Sequence, residues 1–345
     1  MHTNKTRNRR GENMYCGKEL SKKYKKKIKR KIIGSKNEFF LAVEDVNIII
    51  PRGKIIGLLG INGAGKSTII KMLATLLKPN KGYLIFNNKV VADKNVKLVR
   101  SSINMIAGGE RNLFWRLSAY ENLRYFGTLY GLPKKKLERR IDEMLSLVGL
   151  EESKYVPVEQ FSKGMKQRLQ IAKGLINDPE YILLDEPTLG LDINISIELK
   201  YYIEKLAREL NKGILITTHN IKEAEELCDY VYILNSGKVI SAGTVKELIT
   251  SAFGEDKYQV EISASFHEDN FLKQLQQNDV KLINDDKKCI IEINGDKQKL
   301  IKILDICFKN NMDVLQVDFI SKSLEDVILY NINKKRKVDV HDTHN

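Results

Sequence analysis

The chain is 345 residues long, enough for about two domains, and at 42% hydrophobic and 30% charged it has the profile of a soluble globular protein. No apolar run nears the roughly 18 residues that span a bilayer, the N-terminus MHTNKTRNRRGEN lacks the apolar stretch of a secretory signal, and four scattered cysteines without a CxxC pair argue for a reducing, cytoplasmic setting and against disulfides or a zinc site. The net charge of +14 is uneven: residues 1–36 carry 14 lysines and arginines against 2 acids, which leaves the rest near neutral.

The chain therefore opens as a basic arm, residues 1–36, whose KKYKKKIKRK run has the charge to meet anionic lipid headgroups or nucleic acid. Its simplest reading is a solvated, lysine-biased segment. Next come an alternating strand-like stretch, FFLAVEDVNIII, and an apolar strand, KIIGLL. A glycine-rich turn leads into a helix predicted over KSTIIKMLATLL, followed by a KPNKG turn and short strands at YLIF and KVV. INMIA reads as a buried strand. From Ser118 to Val148 the pattern is helical, broken at Pro133. A helix beginning at FSKGMKQRLQIAKGLI precedes the strand YILLD, a long helix near Ile195–Leu210, and the strands GILITTH and VYILNSGKV. Strands alternating with helices predict an α/β fold, a mostly parallel sheet covered by helices, with some antiparallel strands. Past residue 254 the order becomes β-α-β-β-α-β, that of a small α+β ferredoxin-like unit, then a final helix SLEDVILYNI and a charged tail. The expected division is 1–36, 37–254 with a helical subdomain at about 110–175, 255–333, and 334–345.

The segment from Gly60 to Ser67, GINGAGKS, fits GxxxxGK[ST] and lies between a strand and a helix, where that motif has to lie. Glycines let the backbone curl so that amides and the helix N-terminus hold phosphate oxygens. Gly60, Asn62, Gly63, Gly65, Lys66, Ser67 and Thr68 are thus the expected ATP-binding set, with Lys66 reaching the β- and γ-phosphates and Ser67 ligating Mg²⁺. A P-loop needs a carboxylate at the end of a neighbouring strand, and YILLDE supplies Asp185 for the metal. Glu186, one residue on, is placed to act as general base on an attacking water. His219 closes GILITTH at the carboxyl end of a parallel strand, where ligands bind in such sheets, and is expected to contact the γ-phosphate or that water.

GINGAGKST, FSKGMKQR, ILLDEPTLGLD and TTH, in that order and spacing, resemble the nucleotide-binding subunits of ABC transporters over about residues 14–250. The resemblance implies a P-loop ATPase fold with a helical subdomain, and a head-to-tail dimer with two ATPs between its chains. Ser162 and Gly164, at the signature position, would then serve an ATP on the partner's P-loop, and a helix start with open donors suits a polyanion. Asp192 matches the loop that communicates across the interface. An aromatic upstream of the first strand usually stacks on adenine, and Tyr24 is the first candidate, with Phe39 or Phe40 behind it. Three positions depart from the pattern. Ile61 replaces a proline, Lys163 and Met165 replace the signature's glycine and glutamine, and Gly109 stands where a Mg²⁺-contacting glutamine is usual, with Glu110 beside it able to substitute.

GGERNLFWRL and SKGMKQR look like the branch that serves type-2 exporters of drugs, polysaccharides or antibiotics, and Phe114 and Trp115 are candidate docking residues for a membrane subunit. The implied function is ATP hydrolysis, with ATP and Mg²⁺, that drives export. The implied partners are a second copy or a similar subunit, an integral membrane permease and, for the arm, anionic lipid rather than nucleic acid. The implied location is the cytoplasmic face of the cell membrane. Two other readings stay open: a soluble ABC-type ATPase of translation or DNA repair, and a nucleotide-gated binding module without turnover.

Overall fold

The computed structural model describes residues 14–29, 35–107, 113–263, 269–276, 278, 280–285, 288–320 and 322–331. The chain divides into two compact units, residues 1–244 and 245–345. That boundary falls ten residues before the expected one, because the helix α8, Val245–Phe253, belongs with the second unit.

In the first unit a six-stranded sheet has the order β10-β9-β3-β8-β7-β6. Its members are β3 (Ile55–Gly60), β6 (Ile103–Ala107), β7 (Tyr181–Asp185), β8 (Gly213–Thr218), β9 (Tyr230–Asn235) and β10 (Lys238–Gly243). All neighbours are parallel except β9 with β10. β3, β7 and β8 are buried along nearly their whole length, so they read as continuous apolar runs rather than alternating ones. Register brings their carboxyl ends level: Leu59 pairs with Thr218, and Thr217 with Asp185.

A second, antiparallel sheet has the order β2-β1-β4-β5, with β1 at Met14–Lys29, β2 at Ser35–Pro51, β4 at Lys81–Phe86 and β5 at Lys89–Val90. This corrects the reading of residues 1–36 as a separate arm. From Met14 the chain is a sheet strand of the same unit, and the lysine run pairs with β2 from Lys22↔Val43 out to Lys29↔Ser35. Apolar residues at the proximal end anchor the strand: Tyr15, Cys16 and Leu20 are buried, and Tyr15 donates its hydroxyl to the Leu73 carbonyl. Tyr15, Phe86 and Tyr181 stack edge-on or tilted with centroids 5.6–6.2 Å apart, which ties the two sheets together. Such pairs add about 0.5–1.5 kcal/mol each beyond their buried area.

The helix after the glycine turn, α1, is shorter than predicted, Lys66–Leu73; Thr75 takes a left-handed φ of 58° and stops it before the TLL triplet. α2 (Val96–Ser102) leads into β6. The helical subdomain packs α3 (Ala119–Leu129), α4 (Lys134–Leu147) and α5 (Lys163–Leu175) around one apolar cluster. A full capping box starts α3: Ser118 accepts from the Glu121 amide, and the Glu121 carboxylate accepts from Ser118 N–H. That arrangement keeps the Glu121 carboxyl below its usual range. α6 (Ile193–Arg208) and α7 (Ile221–Leu227) complete the unit.

The second unit contains β11 (Lys257–Ser263), α9 (Asp269–Gln276), β12 (Val280–Asp285), β13 (Lys288–Asn294), α10 (Lys297–Lys309) and β14 (Val314–Ile320), then a helix over 324–331. Its sheet is antiparallel throughout, in the order β12-β13-β11-β14. Alternate residues of β11 (Tyr258, Val260, Ile262) and β13 (Cys289, Ile291, Ile293) form the buried face with Phe271, Leu275, Ile303 and Cys307. All four cysteines of the chain are free thiols.

Candidate nucleotide site

Chain sense and register place Gly60, Asp185 and Thr218 at one end of the parallel sheet, and the residues around them form a cavity of about 260 Å³. It is lined by Asn62, Gly63, Gly65, Lys66, Ser67, Thr68 and Glu186, and on its outer side by Tyr24, Phe40 and Ala42.

The turn before α1 is built for close approach. Gly63 and Gly65 have φ of 83° and 105°, and a Cβ on Gly65 would lie 2.7 Å from the Ala42 carbonyl oxygen. Among the described residues, no backbone hydrogen bond takes the amides of Gly63, Gly65, Lys66 or Ser67. α1 has no side-chain cap and no acid in its first turn. An uncapped helix start with open amides is a phosphate-binding geometry.

Lys66, only 5% exposed, donates to the carbonyls of Gly60 (2.6 Å) and Ile61 (3.3 Å), and its ammonium is 3.6 Å from Glu186 Oε1. The same carboxylate oxygen lies 3.4 Å from His219 Nδ1. Lysine, glutamate and histidine from three separate segments thus converge on one point.

Thr217 fixes the acidic pair, and the sequence reading missed it. Its hydroxyl donates to Asp185 Oδ1 at 2.6 Å, while the Glu186 amide donates to the Thr217 carbonyl (3.0 Å) and reaches its hydroxyl oxygen (3.1 Å). Glu186 is held at φ 48°, a left-handed conformation that costs a non-glycine residue on the order of 1 kcal/mol. In sequence Thr217 stands only as the first of two threonines ending an apolar strand, which carries no mark of this role. Ser67 and Asp185 offer a hydroxyl and a carboxylate; such an all-oxygen donor set suits a hard cation such as Mg²⁺.

Tyr24 and Phe40 pair across β1 and β2 and stack at 5.6 Å with planes 24° apart. Both line the cavity, whereas Phe39 is on the opposite register face and does not. The structure thus stacks together two rings that the sequence offered as alternatives.

Ser162 and Gly164 are not among the lining residues. Ser162 caps α5, accepting from the Met165 amide at 3.2 Å. Gly164 packs closely on α6: a Cβ there would lie 2.7 Å from Cδ1 of the Ile195 side chain. Lys163 donates to the Gly190 carbonyl and Gln167 donates to the Pro187 carbonyl (3.2 Å). Asp192 occupies the cap position of α6 without a side-chain capping bond. Gly109 and Glu110 lie outside the described residues.

Phe114 and Trp115 are 44% and 47% exposed. The fully buried Asn122 holds their loop, accepting from Phe114 N–H and donating to the carbonyls of Phe114, Leu117 and Ser118. Phe114 packs edge-on against Tyr125 at 4.8 Å, and the Lys166 ammonium lies 4.5 Å from the centroid of the Trp115 ring. No helix among the described residues is long and apolar enough to cross a membrane.

Comparison with known proteins agrees with this geometry. The ABC transporter family model matches residues 43–189. The chain is 40% identical over 221 residues to the ABC transporter ATP-binding protein NatA of Bacillus subtilis, covering 64% of this chain and 89% of that one. It is 35% identical over 234 residues to the methionine import ATP-binding protein MetN of Halalkalibacterium halodurans, covering 65% and 69%. Among solved structures, the dimeric post-hydrolysis state of the ATP-binding cassette MJ0796 bound to ADP and Pi superposes with a TM-score of 0.57 at 26% identity, covering 67% of this chain and 98% of that one.

Proposed function

The chain belongs to the ABC transporter ATP-binding proteins, and from that premise we propose that it is an ATP-hydrolysing subunit that drives export through a separate membrane protein. The observation that carries the ATPase reading is the meeting of Lys66 and His219 at Glu186, which lines one cavity together with the glycine turn and the Tyr24–Phe40 pair.

The adenine stacks on Tyr24 and Phe40, and the triphosphate runs down to the open amides of Gly63–Ser67. Lys66 gives up its carbonyl contacts for the β- and γ-phosphates. When bound, Mg²⁺ neutralises phosphate charge, held by Ser67 and Asp185. Glu186 takes a proton from the water that attacks the γ-phosphorus, and the bond to the bridging oxygen breaks to give ADP and phosphate. His219 orients that water or the γ-phosphate oxygens. Thr217 keeps the two carboxylates in their separate roles by tying down one Asp185 oxygen and the Glu186 backbone.

The cavity has no donor on the γ-phosphate side from Ser162 or Gly164 of the same chain. Two chains arranged head to tail supply it to each other, with Asp192 at the crossing. ATP binding closes the pair and hydrolysis reopens it, because ATP and ADP differ in affinity for the closed state. The exposed Phe114 and Trp115, held by Asn122, form the docking face for the membrane subunit. Residues 37–244 with β1 make up the cassette, and the second unit is accessory. Affinity purification of the full chain from gently solubilised membranes tests the assignment. A multi-span protein is expected in stoichiometric amount, and ribosomal or DNA-bound partners without one would overturn it. Accumulation of substrate in inside-out vesicles tests the direction.

A further inference from the structure

Lysine at the second signature position is physically odd. Lys163 is the first residue of α5, beside its N-cap and at the positive end of the helix dipole, where a cation is disfavoured. Lys166 adds a second cation to that first turn, which contains no acidic residue of its own. A glycine at this position has no side chain to reach anything. The lysine does reach: its ammonium donates to the Gly190 carbonyl, on a residue with φ 71°. A Cβ on Gly190 would lie 3.1 Å from that ammonium, so the loop and the lysine share one close contact.

Gln167 lies one helical turn further along the same face of α5, and its buried amide donates to the Pro187 carbonyl. Between the two donors, Gly164 sits against the side chain of Ile195 in the first turn of α6. One face of α5 therefore grips both ends of the 187–190 segment. That segment starts immediately after Glu186, the base for ATP on the chain's own P-loop. It ends just before Asp192, and its clamp is the turn that serves ATP on the partner's P-loop.

We propose that Lys163 is a positioning residue that locks the 187–190 segment to the signature turn, so that ATP docking on Ser162 of one site sets the placement of Glu186 in the other. The inference rests on the two-chain ATPase reading above. It assigns a coupling role that a glycine signature has to leave to backbone contacts alone.

The test compares the full-length chain with Lys163→Ala and Lys163→Arg, in the complex with its membrane partner. Rates are measured across a range of Mg-ATP concentrations, with binding of a fluorescent ATP analogue and thermal midpoint alongside. For Lys163→Ala the expected result is a kcat about tenfold lower, the order for one charge-assisted hydrogen bond, and a Hill coefficient for ATP that falls to 1. Analogue binding and midpoint stay unchanged. Lys163→Arg, which keeps a cationic donor, retains both the rate and the cooperativity. If Lys163→Ala matches the unmodified chain within twofold in kcat and in Hill coefficient, the coupling role is wrong while the ATPase reading stands. If the unmodified chain shows neither turnover nor two-site behaviour, the ATPase reading fails and the inference with it.

Discussion

Two helix starts in the first unit share a recipe and end up opposite in character. α1 and α5 both begin at a turn with glycine and lysine, and neither has an acid in its first turn. At α1 the glycines take left-handed φ values, the lysine is buried and folded back on its own turn, and the amides face a cavity. At α5 the serine caps the helix, the lysine reaches sideways to a neighbouring loop, and neither Ser162 nor Gly164 lines the cavity at α1. Helix-dipole physics is common to both. On the two-chain reading proposed above, what separates them is whether one chain encloses the phosphate or presents half of its walls to another.

The sharpest way to break this contrast is Glu186→Gln. If α1 and its surroundings form a complete binding half-site with a separate catalytic group, turnover should fall by about 10³-fold while Mg-ATP still binds. Phosphate release and light scattering read both, and paired chains should accumulate with ATP trapped between them. Equal loss of binding and turnover would mean that Glu186 mainly neutralises Lys66. Ser162→Ala comes next, with an expected loss of about tenfold to a hundredfold in turnover and little change in ATP affinity of the isolated chain, because on the proposed two-chain arrangement the residue serves the other copy.

How legible each region was follows from the same contrast. The P-loop and the acidic pair were readable because phosphate and metal binding need particular residue types at fixed spacing along a short stretch. His219 was readable from its place at a strand end. Thr217 was not, because a threonine at the end of an apolar strand looks like ordinary β-propensity until register sets it beside Asp185. The Tyr24–Phe40 pair was half visible: which rings meet depends on strand register across a lysine-rich ribbon, and composition there pointed to a solvated arm. The helical start at Ser118 and the parallel sheet were legible, whereas α1 ran short because a left-handed Thr75 carries no sequence mark. The domain boundary was displaced because α8 has an ordinary helical pattern that suits either unit.

A smaller perturbation separates two uses of glycine in the signature turn. Gly164→Ala should cost about 1–3 kcal/mol of stability through the close approach to Ile195. Adding Ile195→Ala removes the Cγ and Cδ atoms in the way and should recover most of that cost in thermal unfolding. If turnover recovers together with stability, packing alone demands the glycine. If it stays low in the stable double variant, the partner's phosphate also needs the bare backbone, and α5 is a true half-site like α1. Tyr24→Ala, on the α1 side, should raise KM for ATP about fivefold to tenfold with kcat unchanged, the size expected for losing one stacked base.

The smallest effect tests the support beneath the P-loop rather than the loop itself. Asp229 accepts from the Ile55 amide at 2.8 Å, where β3 begins, and from Arg208 (2.8 Å) and Lys54 (3.1 Å). Partial burial pushes its carboxyl pKa up, but these three donors outweigh that and hold it below the ordinary 3.8. A carboxylate with a depressed folded pKa stabilises fully above its unfolded value, and the contribution is lost as pH falls through the folded one. The loss should therefore lie in the acid range below 3.8 and leave neutral pH untouched. Asp229→Asn, which keeps the shape but not the charge, should lower the midpoint at pH 7 by a few degrees and flatten the fall below pH 4. It should not change KM for ATP, because β3 is also held by parallel ladders on both sides. A KM shift would mean that the strand's origin, as well as its glycine end, sets the phosphate turn.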